Sequence, residues 1–84
     1  MTKDVDKLMQ CVDEFAVEMK SKLLDKHIEG WKGWDDPEYM DAIKLGMITA
    51  VNKQQKNPMT AGQEVDIANF AMFLWNLNQQ TKEE

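Results

Sequence analysis

Residues 65–77, with the sequence VDIANFAMFLWNL, are the stretch that decides the fold. Apolar side chains occupy most of this segment, so a helix formed here is apolar nearly all round and must be covered on several sides. Three short helices within one chain of 84 residues cannot provide that cover. We therefore predict an all-α fold in which this third helix, over about 61–78, forms the centre of a helical bundle. A homo-oligomer, a dimer or larger, is expected to complete that bundle.

The amino-terminal part of the chain predicts another helix and a loop. Apolar residues recur there every three or four positions, which favours a helix over about 4–27. Gly30 and Gly33 then interrupt the pattern among aromatic residues, which predicts an aromatic loop over 28–36.

The remaining boundaries come from capping and turn signals. Asp36 followed by Pro37 is typical of a helix N-cap, so the second helix is expected over about 37–55. Thr60 with Gln63 resembles a capping box that opens the third helix. Residues 79–84 are expected to form a frayed polar tail, and residues 1–84 a single helical domain.

Composition and charge exclude several classes of function. Every one of the ten basic residues is lysine and the net charge is −5, so direct binding to nucleic acid is not expected. No stretch reaches the roughly 20 apolar residues of a membrane span, and the first residues lack the apolar core of a signal peptide. We therefore expect a cytoplasmic protein without a membrane partner. Cys11 and His27, the single cysteine and histidine, are interpreted as structural residues.

The sequence contains few side chains that suit catalysis, and no catalytic residue is assigned. Asp66 lies in an apolar segment, so its carboxylate must face water, a metal ion or a donor such as a lysine. A magnesium site would have to use acidic residues from neighbouring helices, and the candidates are Glu38, Asp41, Glu64 and Asp66. Past Asp41 the second helix carries no carboxylate, so one wall of such a site is missing.

Two strings carry a resemblance to a known family. His27-x-x-Gly-Trp with Pro37-Glu-Tyr, followed by Asp66-Ile-Ala-Asn-Phe-Ala-Met, resembles the MazG-like all-α nucleoside triphosphate pyrophosphohydrolases. The similarity covers about residues 15–78 and is closest to the short phage and prophage type that includes dATP/dGTP pyrophosphohydrolases. It implies a site of Glu-Glu-x-x-Glu on one helix and Glu-x-x-Asp on the next. Those carboxylates hold magnesium, which activates water for α–β cleavage.

The metal ligands of the family are mostly replaced in this sequence. Carried over by the resemblance, the second motif falls on Gln63 and Asp66, and the first falls near Gly46, Met47 and Ala50. Only Asp66 is a carboxylate. The resemblance therefore implies the fold without its magnesium site, so a binding protein that needs no cofactor is favoured over an enzyme.

The pocket itself has side chains that suit a nucleotide. Trp31 and Trp34 are candidates for stacking on a base, and Asn69 for a hydrogen bond to its edge. A lysine, Lys32, Lys44 or Lys53, would meet phosphate. Asp66 and Asn76 complete the set of candidate ligand-binding residues, as polar positions on the same helix face as Asn69. The alternative interpretation is that both tryptophans simply pack over the ends of the bundle.

The sequence leads to three hypotheses about function. The first is a catalytically degenerate MazG-like phage protein in the host cytoplasm that sequesters a nucleotide or signalling nucleotide, or blocks a host protein. The second is a small acidic inhibitor of a host protein, because acidic residues are abundant on the first helix. The third is an active magnesium-dependent pyrophosphohydrolase with an unusual metal site.

Overall fold

The computed structural model describes residues 3–57 and 62–82. It contains helix α1 (Lys3–Ile28), a 3₁₀ turn (Pro37–Tyr39), helix α2 (Met40–Lys56) and helix α3 (Gln63–Lys82). The prediction of three helices and an all-α fold is confirmed, and the described residues contain no strand. Within those residues, no helix has the length and apolar character needed to span a membrane. The predicted capping box at Thr60 lies outside the described residues.

Helix α1 ends in a glycine motif that fixes the direction of the following loop. Gly30 has a φ of +91°, and its amide donates to the His27 carbonyl at 3.0 Å, while the Trp31 amide donates to the Lys26 carbonyl at 3.0 Å. This pair of hydrogen bonds is a Schellman motif, for which glycine is favoured because it lacks a Cβ. The motif turns Trp31 back toward the body of the protein.

Asp36 caps the next element, although α2 begins later than predicted. The Asp36 carboxylate accepts a hydrogen bond from the Glu38 amide at 3.0 Å, and its carbonyl accepts one from the Tyr39 amide at 2.9 Å. These contacts close a 3₁₀ turn, so the α-helix starts at Met40 rather than at Pro37 and ends at Lys56.

The carboxyl end of α3 also differs from the prediction. Of the tail predicted over 79–84, residues 79–82 continue the helix to Lys82, and residues 83 and 84 lie outside the described residues. Two glutamines and a lysine are good helix formers, and no glycine or proline follows to stop the helix.

The core lies between α2 and α3. Four residues at a spacing of four along α3 are buried, namely Val65, Asn69, Phe73 and Leu77. Phe73 and Leu77 form a cluster with Ile43 of α2, and Leu23 of α1 packs against its edge. The buried residues therefore form one line along α3, in which Phe73 and Leu77 cluster with Ile43 of α2, whereas Asn69 donates a hydrogen bond to Met19 of α1.

Candidate functional site

A cleft lies where α1, α3 and the loop after α1 meet. It encloses about 90 Å³ and adjoins a second cleft of about 220 Å³. The first cleft is lined by Lys22, Leu23, Lys26, Trp31, Asp66, Asn69, Phe70 and Phe73. Small-molecule sites commonly measure roughly 300–1,000 Å³. The first cleft therefore has room for a ring or a small group, and the rest of a larger ligand would lie outside it.

Phe73 supports the aromatic wall of both clefts. Its ring is only 3% exposed and lies 5.4 Å from the Trp31 ring and 5.7 Å from the Trp34 ring, centroid to centroid. Phe70 meets Phe73 edge to face at 6.3 Å. Both tryptophans therefore pack on Phe73 and keep exposed surface, so structural packing and a stacking role are compatible.

Asn69 is the buried polar residue of the cleft. It is 5% exposed, and its Nδ2 donates to the Met19 carbonyl at 3.5 Å, a long hydrogen bond. Its Oδ1 is buried and has no hydrogen-bond partner among the described residues. The reverse amide orientation would place Oδ1 against a carbonyl oxygen, so Oδ1 is the atom left unpaired. An unpaired buried acceptor costs about 1–3 kcal/mol, and such a cost is often associated with function.

A cationic edge lies beside Asn69. The Lys22 ammonium is 3.4 Å from the Asp66 carboxylate, and the two side chains are 37% and 26% exposed. The prediction that Asp66 faces water, a metal ion or a donor such as a lysine is met here by Lys22. Lys26 follows one helical turn later, and its ammonium lies 3.7 Å from the Glu29 carboxylate. Pairs this exposed contribute little to stability, so both lysines are available to an anionic ligand.

Four of the five positions that the resemblance assigns to metal ligands line another cleft, between α2 and α3, and the fifth, Met47, does not line it. Gly46 and Ala50 line it together with Gln63 and Asp66. A methyl group added at Gly46 would approach ring atoms of Phe70 to 2.9 Å. The Phe70 ring therefore occupies the space that a longer side chain at position 46 would need.

The other acidic candidates do not converge with Asp66. Glu38, in the 3₁₀ turn, and Asp41, in the first turn of α2, are both exposed. Ala42, next to Asp41, lines the cleft between α2 and α3 that Asp66 also lines, but Asp41 itself is not among its lining residues. Glu64 lines a separate groove beside α1. Within residues 3–57 and 62–82, no three histidine, cysteine or acidic side chains are grouped as a metal site requires.

The remaining predicted residues are divided among neighbouring surfaces. Trp31, Asp66 and Asn69 meet in the first cleft, and Trp34 lines the adjoining one. Lys32 lies in a groove on the other side of the tryptophans. Asn76 is half-buried on α3, two turns beyond Asn69, and is not among the residues that line the first cleft.

Five residues that line the first cleft are not among the residues predicted from the sequence, namely Lys22, Leu23, Lys26, Phe70 and Phe73. A signal for the lysines existed, because Lys22 and Lys26 are four residues apart and flank the apolar stripe of α1. No comparable signal singled out the two phenylalanines, since nearly every position of α3 is apolar.

Gly46→Ala is expected to destabilise the protein by about 1 kcal/mol, because the new methyl group would overpack against Phe70. At a solvent-exposed position inside a helix, replacing glycine by alanine would instead stabilise the protein by about 1 kcal/mol. Urea unfolding followed by circular dichroism shows whether the free energy of unfolding falls or rises. Adding Phe70→Leu should restore the gain, with Phe70→Leu alone as the reference. A stabilising Gly46→Ala would contradict the close approach of α2 and α3.

Comparison of the chain with models of protein families, with curated proteins and with solved structures gives no match.

Proposed function

We propose that this chain is a homo-oligomeric binding protein, a catalytically degenerate relative of the MazG-like family, that holds a nucleotide or signalling nucleotide in the α1–α3 cleft. The same proposal includes that the chain is a phage or prophage protein and acts in the host cytoplasm. The observation that carries it is the buried, unpaired Oδ1 of Asn69 in an aromatic cleft beside two lysines.

Each part of the cleft suits one part of such a ligand. Nδ2 of Asn69 is directed at the Met19 carbonyl, so Oδ1 is the atom left for a ligand. An amide oxygen only accepts, so the ligand edge must carry an N–H or O–H donor. A heteroaromatic ring with that donor can lie against Trp31. Lys22 and Lys26 stand at the open edge, where the phosphates of a nucleotide would extend out of the enclosed volume.

Binding without hydrolysis is supported by two contacts. Asp66, the one carboxylate kept from the family motif, is paired with Lys22 at 3.4 Å. The Phe70 ring lies over Gly46, where the family motif would require an acidic side chain. A magnesium–triphosphate complex needs several anionic ligands, so this arrangement favours a cleft that holds a nucleotide without activating water.

Tryptophan fluorescence is expected to change on titration with a nucleoside triphosphate in the absence of magnesium. Screening the eight common triphosphates identifies the ligand. Asp66→Asn should retain binding and tighten it several-fold, because Lys22 loses its intramolecular partner. Asp13→Asn, which removes the same charge at an exposed position of α1, is the matched control and should leave the affinity within about twofold.

Turnover would contradict this proposal. Release of pyrophosphate in the presence of magnesium, abolished by Asp66→Ala, would favour the active hydrolase, with Glu38, Asp41, Glu64 and Asp66 shared between subunits. Asp66→Asn would in that case weaken activity instead of tightening binding.

A second candidate function is the small acidic inhibitor of a host protein. It is supported by exposed apolar side chains on α1, among them Leu8 and Val12, within a segment rich in acidic residues. Fluorescence that stays unchanged with every triphosphate would favour this candidate over the nucleotide cleft.

A further inference from the structure

The second cleft extends the space that is open to a ligand of the first one. Four residues line both clefts, namely Leu23, Lys26, Trp31 and Phe73. The first encloses about 90 Å³ and the second about 220 Å³. Only together do they reach the roughly 300 Å³ of the smallest common ligand sites. A ligand confined to the first cleft would therefore leave the larger part of this space unfilled.

The walls of the second cleft suit a flat ring. Five of the seven residues that line it are leucine, methionine, phenylalanine or tryptophan, and none of the described lining residues is acidic. A ribose or a phosphate would lose water against such walls. A heteroaromatic base would instead stack on Trp34, which lines this cleft but not the first and is 40% exposed. Phe73 holds the Trp34 ring in place at 5.7 Å between centroids.

Lys26 lies where the two clefts meet, since it lines both. Its ammonium is 3.7 Å from the Glu29 carboxylate, and the two side chains are 47% and 65% exposed. A pair this exposed is weak, so a phosphate can take the place of Glu29. A phosphate held by Lys26 would then lie between a ring in the first cleft and a ring in the second.

We propose that the ligand of the two clefts is a dinucleotide. Its first base lies against Trp31 and donates a hydrogen bond to Oδ1 of Asn69, its second base stacks on Trp34, and a linking phosphate contacts Lys26. This inference rests on the proposed function, from which it takes the place of the first base. Joining two bases makes binding of the second base intramolecular, so the affinity rises above that of a ligand with one base.

Isothermal titration calorimetry without magnesium compares ligands with one and two bases. The probes are the dinucleotides with two adenines, guanines, cytosines or uracils, in linear and cyclic form. The four nucleoside monophosphates are the references with one base. At least one dinucleotide is expected to bind at least roughly tenfold more tightly than its monophosphate. The nucleoside diphosphate, which adds charge without a second base, should bind more weakly than that dinucleotide.

Trp34→Leu should weaken dinucleotide binding at least roughly tenfold, the usual effect of losing one stacked base. It should leave monophosphate affinity within about twofold, because Trp34 does not line the first cleft. Trp75→Leu is the matched control, since it removes a tryptophan that is 63% exposed and lines neither cleft. It should leave both affinities unchanged. If Trp34→Leu does not fold, Trp34→Phe, which keeps a smaller ring, should lower the preference for the dinucleotide several-fold.

The outcomes separate this inference from the proposed function. Equal affinities for dinucleotides and monophosphates, or equal losses of both in Trp34→Leu, would overturn the inference and leave the nucleotide cleft standing. Dinucleotide binding that depends on Trp34 but is unchanged in Asn69→Leu would contradict the proposed role of Asn69 and keep the site of the second base. No binding of any monophosphate, triphosphate or dinucleotide would overturn both.

Discussion

Phe73→Ala is expected to lower the free energy of unfolding by about 3–5 kcal/mol, the usual cost of truncating a buried phenylalanine. The ring is 3% exposed and contacts three other aromatic rings, so the cavity would open between α3 and the loop as well as inside the core. A domain of this size has a total stability of about 4–13 kcal/mol, so much of the protein would unfold near physiological temperature. Circular dichroism in urea measures the loss.

Two controls separate the cavity from a general effect of the change. Phe73→Leu should cost much less, because it keeps most of the apolar volume. Trp75→Ala, two residues further along the same helix, removes a side chain that is mostly exposed and should have a small effect. Emission from Trp31 and Trp34 should shift to longer wavelength in Phe73→Ala, since both rings pack on Phe73. A loss below about 1 kcal/mol with unchanged emission would contradict the central place of Phe73.

The helices could be predicted because each boundary has a local cause. Gly30 supplies the positive φ that ends α1, and the Asp36 side chain caps the turn before α2. Such signals involve only a few neighbouring residues, so they can be recognised in a single sequence. The same local reading placed the start of α2 at Pro37, because it does not distinguish a 3₁₀ turn from the first turn of an α-helix.

The cleft could be predicted only in part, because its walls are set by packing between helices. Trp31, Asp66 and Asn69, three of the candidate ligand-binding residues, line one cleft. Since α3 is apolar nearly all round, its sequence does not determine which residue lies at the centre, and Phe73 takes that position once α2 docks. The role of Gly46 also depends on docking, because its missing side chain makes room for the Phe70 ring.

Asn69→Leu is expected to raise the free energy of unfolding by about 1–2 kcal/mol, because it removes a buried acceptor that lacks a partner. Leucine has the same branching and the same number of side-chain heavy atoms as asparagine, so the change roughly keeps the shape that packs against α1 while losing only a 3.5 Å hydrogen bond to Met19. The same substitution should weaken nucleotide binding at least roughly tenfold, since the hydrogen bond to the base edge is lost. Higher stability with lower affinity is typical of a residue kept for function.

Paired measurements of unfolding and of fluorescence titration test both halves of this expectation. Asn76→Leu is the matched control, because Asn76 is a half-buried asparagine on the same helix and does not line the cleft. It should leave nucleotide affinity unchanged. A loss of more than about 1 kcal/mol in Asn69→Leu would show that Oδ1 is satisfied in solution, by water or by a second chain. The cleft would then hold a structural polar contact, and the nucleotide proposal would lose the observation that carries it.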